Sequence, residues 1–169
     1  MASAIADMET CVPALRRYAS ALLGDRDAAD DLVHDCLVRA LDRLHTRQDG
    51  DIRPWLFGIM HELLVSRARR VKLRDATQTP YRDDSTAPIE SAGQDDRVSG
   101  RDLMRAVDAL PEDQRSVLLL IAVEDLSYAE TARVLGVQVD AVMSRLSLAR
   151  ETLRKSSSDA AAPALWRVK

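Results

Sequence analysis

Residues 125–154 carry a run of signals that few folds can satisfy. Ser127-Tyr128-Ala129-Glu130 has the spacing of a capping box, with a serine at the N-cap and a glutamate three residues on. Ala129, Ala132, Val134 and Leu135 continue a short helix. Gly136 follows, where a left-handed residue ends a helix at low cost. A second helix is predicted from about Gln138 to Lys155, with Val142, Leu146, Ala149 and Leu153 facing inward. The small Ala132, four residues before Gly136, suits a close crossing of the two helices. Short helix, glycine turn and longer helix with scattered arginines form the helix-turn-helix pattern. Plain helical hairpins share it, so it points towards DNA without establishing DNA binding.

Composition agrees with an all-α chain. Of 169 residues, 46% are apolar, enough for a packed core, but only 4% are aromatic, so that core rests on Leu, Val, Ile, Ala and Met. Six glycines and six prolines are too few for a chain of tight β-turns. No apolar run is long enough to span a membrane, and Asp7 and Glu9 argue against a secretory signal, so no membrane insertion is expected. Two cysteines, Cys11 and Cys36, make no disulfide framework, and a reducing, cytoplasmic setting is expected.

Helical spacing extends over most of the chain. Val12, Leu15, Ala19 and Leu22 mark a helix over 9–23, broken at Gly24-Asp25. Asp27 is predicted to cap a second helix that buries Leu32, Val33, Cys36, Leu37, Ala40, Leu41 and Leu44. A third starts near Arg53, with Pro54 in its first turn, and buries Trp55, Leu56, Ile59, Met60, Leu63 and Leu64. Residues 75–98 lose periodicity, hold Pro80, Pro88 and Gly93, and read as an acidic flexible linker. The pattern resumes with Leu103, Val107 and Leu110, and Pro111 opens a helix to about Glu124. The expected architecture is two small helical domains: 1–74, the linker 75–98, a helix-turn-helix domain 99–155 and a tail 156–169. Nothing in the linker suggests an apolar stripe, so the two bodies are expected to be arranged by a partner rather than by each other.

The net charge of −3 is uninformative until it is divided along the chain. Residues 51–74 carry six basic against two acidic side chains, whereas 75–100 carry two against six. Five of the six cations, Arg67, Arg69, Arg70, Lys72 and Arg74, fall within nine residues. Such a block suits a phosphate-facing surface, but charge alone favours an ordinary solvated helix face.

Two stretches together resemble one family. Leu15 to Ala19, Asp27 to Leu41 and Arg53-Pro54-Trp55-Leu56-Phe57-Gly58-Ile59 are similar to region 2 of the extracytoplasmic-function sigma factors. Leu110 to Arg115, Leu126 to Glu130, Leu135-Gly136-Val137 and Ser144-Arg145-Leu146 are similar to their region 4. The first stretch most resembles the general-stress-response branch. The resemblance implies a transcription initiation factor that binds core RNA polymerase and promoter DNA, controlled by an anti-sigma factor, with no catalytic site, no cofactor and no small-molecule substrate. It implies −10 contacts from Trp55, His61, Glu62, Ser66, Arg67, Arg69 and Arg70. It implies −35 contacts from Gln138, Asp140, Met143, Ser144, Arg145, Ser147 and Arg150. The polymerase-facing helix would use Asp31, Leu32, His34, Asp35, Val38 and Arg39. Trp55 and Phe57 are aromatic groups of the kind that capture unpaired bases.

The chain departs from the family pattern at informative places. Glu62 stands where most relatives carry Asn, and an ionised Glu offers acceptors only. Met143 and Leu148 replace residues that are often basic, and His34 and Cys36 replace the commoner Gln and Thr. Two other readings fit the same residues: a sigma-like mimic that only sequesters an anti-sigma protein, and a stand-alone helix-turn-helix repressor. His34 and Cys36 do not fill a tetrahedral metal site, so no metal is expected.

Overall fold

A computed structural model describes residues 2–47, 50–75 and 96–157. The linker assigned to 75–98 lies mostly outside the described residues, and so does the tail beyond 157 with its Trp166. All regular structure among the described residues is helical. The first body holds α1 (Ala2–Leu23), α2 (Arg26–Arg43), a 3₁₀ turn (Leu44–Thr46) and α3 (Ile52–Asp75). The second holds α4 (Asp96–Asp108), α5 (Glu112–Ala122), α6 (Tyr128–Leu135) and α7 (Val139–Ser157).

Local chemistry explains most helix boundaries. Asp25, not Asp27, caps α2: its carboxylate accepts from the Ala28 amide at 3.0 Å. Asp27 falls in the first turn instead, where the helix dipole favours its charge. The first helix begins well before residue 9, because Met8 is buried and Ala4 packs against the core, which extends its apolar stripe towards the N-terminus. Pro13 is thereby left inside α1, on its exposed side. The capping box at α6 is complete: Ser127 Oγ accepts from the Glu130 amide, and Glu130 accepts from the Ser127 amide at 2.8 Å. Gly136 closes α6 in the left-handed region at φ 64°, a conformation a Cβ would strain.

In the first body, α1, α2 and α3 pack on one another. Tyr18 and Phe57 meet edge to face, with ring centroids 5.3 Å apart. Ala29, Leu32, Val33, Cys36 and Ala40 line the inner face of α2, whereas Leu41, expected inside, is 49% exposed beside the equally exposed Val38. In the second body, α7 buries Val142, Leu146, Ala149 and Leu153, as its spacing predicts. A satellite cluster of Val107, Leu110, Ala149 and Leu153 fastens α4 to α7.

The two bodies are not left for a partner to arrange. They pack directly, α6 along α3 and α1 against α5, and one apolar cluster runs through both. It joins Leu15, Leu56, Met60 and Leu64 to Val117, Leu120, Leu126, Leu135 and Val142. The expectation of independent bodies fails because each exposes a second apolar face, which a period count along one helix does not assign to a neighbour.

Candidate nucleic-acid interface

The basic block lies along the second half of α3, and the structure divides its cations into two kinds. Arg69 and Arg70 are exposed. Arg67 is turned back onto α2: it donates to Asp35 Oδ2 at 3.0 Å and to the Ala28 carbonyl at 3.3 Å. One predicted DNA contact is thus ion-paired to a predicted polymerase contact. The side chains of Lys72 and Arg74 lie outside the described residues.

Upstream on α3, Trp55 is half-buried and lies under the Arg47 guanidinium, 5.8 Å from the ring centroid. Phe57 cannot capture a base, since it is fully buried against Tyr18. Glu62 is exposed, and its carboxylate accepts from Arg43 Nη1 at 2.9 Å. Arg43, nineteen residues away on another helix, thus balances the charge of Glu62. Ser66 Oγ donates to the Glu62 carbonyl at 2.8 Å, which directs this hydroxyl along its own helix. His61 is half-buried on α3, close enough to Glu112 and Arg145 of the second body to feel their charges. Burial is the main cause of its lowered pKa, and Arg145 adds to the effect while Glu112 and Glu62 oppose it.

On α7, Gln138, Asp140, Met143, Ser144 and Ser147 are exposed, together with Leu148. Arg145 is not aimed at solvent with them: it pairs with Asp113 at 3.3 Å on α5. Arg150 is half-buried. The outer face of α7 is therefore short of cations, and Asp140 at its first turn adds a negative charge that the helix dipole favours and phosphate does not.

The α2 face presents Asp31, His34, Asp35 and Val38 to solvent, with Arg39 half-buried. Leu32 does not belong to this surface: it is 0% exposed and part of the core of the first body. Cys36 lies on the same inner side and donates from Sγ to the Leu56 carbonyl. Burial pushes its thiol up to about 12 and raises that of Cys11, so both stay protonated at neutral pH and lack the reactive thiolate. None of the described helices is long and apolar enough to cross a membrane.

No local signal in the sequence marks Arg43, Arg47 or Asp113, because each acts on a residue of another element. The same holds for Glu124, a buried carboxylate in the α5–α6 turn, contacted by Arg17 and Arg53 of the first body.

Residues 100–153 match the family Sigma-70, region 4, and residues 8–61 match the Sigma2 domain of PhyR. The chain is 36% identical to the ECF RNA polymerase sigma factor EcfG of Rhodopseudomonas palustris over 150 residues, 87% of this chain and 81% of the relative. It is 32% identical to the ECF RNA polymerase sigma factor SigE of Mycolicibacterium smegmatis, over 86% of this chain and 59% of that one. The fold superposes on the sigma factor RpoE of Bartonella quintana, solved in complex with the anti-sigma factor NepR, with a TM-score of 0.76 and 25% identity over 94% of this chain and 98% of the other. Two helical bodies in this order, a helix-turn-helix with an intact capping box, and identity over most of both chains place the protein in the family of extracytoplasmic-function RNA polymerase sigma factors.

Proposed function

We propose that this sigma factor docks on core RNA polymerase through the outer face of α2, reads the −10 element with α3 and the −35 element with α7, and is held inactive by an anti-sigma factor. The observation that carries this reading is the continuous identity to EcfG, which spans both helical bodies rather than one. The exposed Val38 and Leu41 between the acids of α2 form the mixed apolar and acidic patch that a protein partner would cover. Arg69 and Arg70 would neutralise phosphates next to the melted segment, with release of counterions. The weak positive charge of α7 supports a division of labour, in which polymerase supplies most of the affinity and α7 refines the choice of promoter. RpoE, the structural relative, was solved with an anti-sigma factor, which supports control of the same kind here.

A second reading has one observation in its favour. The family matched by residues 8–61 is the Sigma2 domain of PhyR, and PhyR of Bartonella quintana was solved as an anti-anti-sigma factor bound to NepR. On that reading the chain would sequester an anti-sigma factor and never direct transcription. Run-off transcription with purified core polymerase separates the two. Promoter-specific transcripts that require the chain are expected, and their absence under conditions where the chain binds an anti-sigma factor would favour the mimic.

A further inference from the structure

We propose that Glu124 is the latch of a closed, self-inhibited state of this sigma factor. Its carboxylate is 0% exposed, and all of its side-chain bonds cross the joint between the two bodies. Arg17 of α1 grips it as a fork, with Nε to Oε1 at 3.2 Å and Nη2 to Oε2 at 2.9 Å. Arg53 of α3 adds a third bond, Nη2 to Oε2 at 2.8 Å. No residue of the second body is seen to contribute a partner to this carboxylate among the described residues. In a separated second body the group would need only water, so its burial serves the joint and not the fold of its own half. The chain leaves the site through Asp125 in the left-handed region, φ 54°, which turns it from the end of α5 towards α6.

What the latch closes is legible from the same joint. It holds α6, the first helix of the helix-turn-helix, along α3, the helix assigned to the −10 element. The two promoter elements are by their names about 25 base pairs apart, roughly 85 Å of duplex at about 3.4 Å per base pair. Two bodies packed directly on one another, α6 on α3 and α1 on α5, cannot place α3 and α7 on both elements at once. The closed arrangement is therefore incompatible with the promoter complex, and opening must precede or accompany it.

A charge clamp suits this task better than further apolar packing would. The carboxylate is fully buried, but Arg17 and Arg53 keep 55% and 37% of their side chains in solvent. On opening, all three groups regain water, so none of these charges is left unpaired in the open state, whereas loss of the arginines alone would leave an unpaired buried charge in the closed state. The apolar cluster that runs through both bodies favours the closed state, and the clamp of one carboxylate and two arginines adds to it.

This inference rests on the sigma-factor reading, and its test has a readout that does not. The full chain would be measured by small-angle X-ray scattering as wild type, as Glu124→Gln and as Arg17→Glu/Arg53→Glu, with helicity followed by circular dichroism. A compact chain of 169 residues has a radius of gyration of about 16 Å. The wild type should scatter near that value, somewhat enlarged by its linker and tail. The double reversal places three carboxylates together and should lower the closed-to-open ratio on the order of 100-fold or more, so that a 99:1 population becomes about even. Its radius should rise at unchanged helicity, and half-maximal run-off transcription should need less of the variant than of the wild type. Glu124→Gln retains an acceptor and should show a smaller effect of the same sign; if it loses helicity, the reversal at two solvent-exposed arginines decides alone. Superposable scattering curves for wild type and double reversal would overturn the latch. A wild type without promoter-specific transcripts would overturn the functional reading, and scattering would still judge the latch.

Discussion

The division of the basic block on α3 leads to a sharp expectation for DNA binding. By sequence, Arg67, Arg69 and Arg70 are equivalent cations, but the structure gives the Arg67 guanidinium two bonds to α2 and leaves Arg69 and Arg70 exposed. Each phosphate contact contributes about 0.9 to the slope of log affinity against log salt on duplex DNA. Replacing Arg69 and Arg70 by Ala should then flatten the slope by about 1.8. Between about 50 and about 200 mM salt, the variant should lose about tenfold less affinity than the wild type. Arg67→Ala should flatten it by well under one, because its charge is already balanced by Asp35. Its main effect should be on the α2 face, where Asp35 loses its counter-charge; a pair this exposed is worth only about 0.2–1 kcal/mol. Fluorescence anisotropy of a promoter fragment with reconstituted holoenzyme, titrated at several salt concentrations, measures all three slopes. If Arg67→Ala flattens the slope as much as half of the Arg69/Arg70 pair, the ion pair does not occupy this guanidinium on DNA. If the pair changes nothing, DNA does not run along this side of α3.

Four further outcomes are expected. Ser127→Ala removes the side-chain acceptor of the capping box and should cost about 1 kcal/mol, seen as a fall in Tm of roughly 2–4 °C by circular dichroism. His61 has a lowered folded pKa, so the unfolded chain binds its proton first as pH falls: its contribution is complete above about 6.5 and is lost below it. His61→Gln should accordingly flatten the decline in stability between about pH 7 and pH 5.5, measured by urea unfolding. Asp31→Lys, an exposed reversal that spares the Arg67 pair, should slow association with core polymerase and change its salt dependence in surface plasmon resonance, with no loss of helicity. Met143→Arg adds a cation to the exposed face of α7 and should steepen the salt slope of −35-dependent promoters by about one unit, in the same anisotropy assay.

Much of this protein was legible before any coordinates. The helix-turn-helix was readable because its determinants are local: a capping box spans four residues, a left-handed glycine needs no distant partner, and helical periodicity exposes the inner face of α7. The same holds for the basic block of α3 and the family resemblance. Tertiary structure decided the rest, and always where one element acts on another. It moved Phe57 from a candidate contact into the core, and turned Leu41 out of the core to solvent, because a helix face that is apolar says nothing of which neighbour covers it. Pairing Glu62 with Arg43, Arg67 with Asp35 and Arg145 with Asp113 likewise needed the packing of separate helices. The joint between the two bodies is the extreme case: Arg17, Arg53 and Glu124 span more than one hundred positions, and Glu124 follows an apolar run that by itself predicts only a helix end. A charge at a helix end is normally solvated, and only the second body folded against the first removes the water and turns it into a clamp.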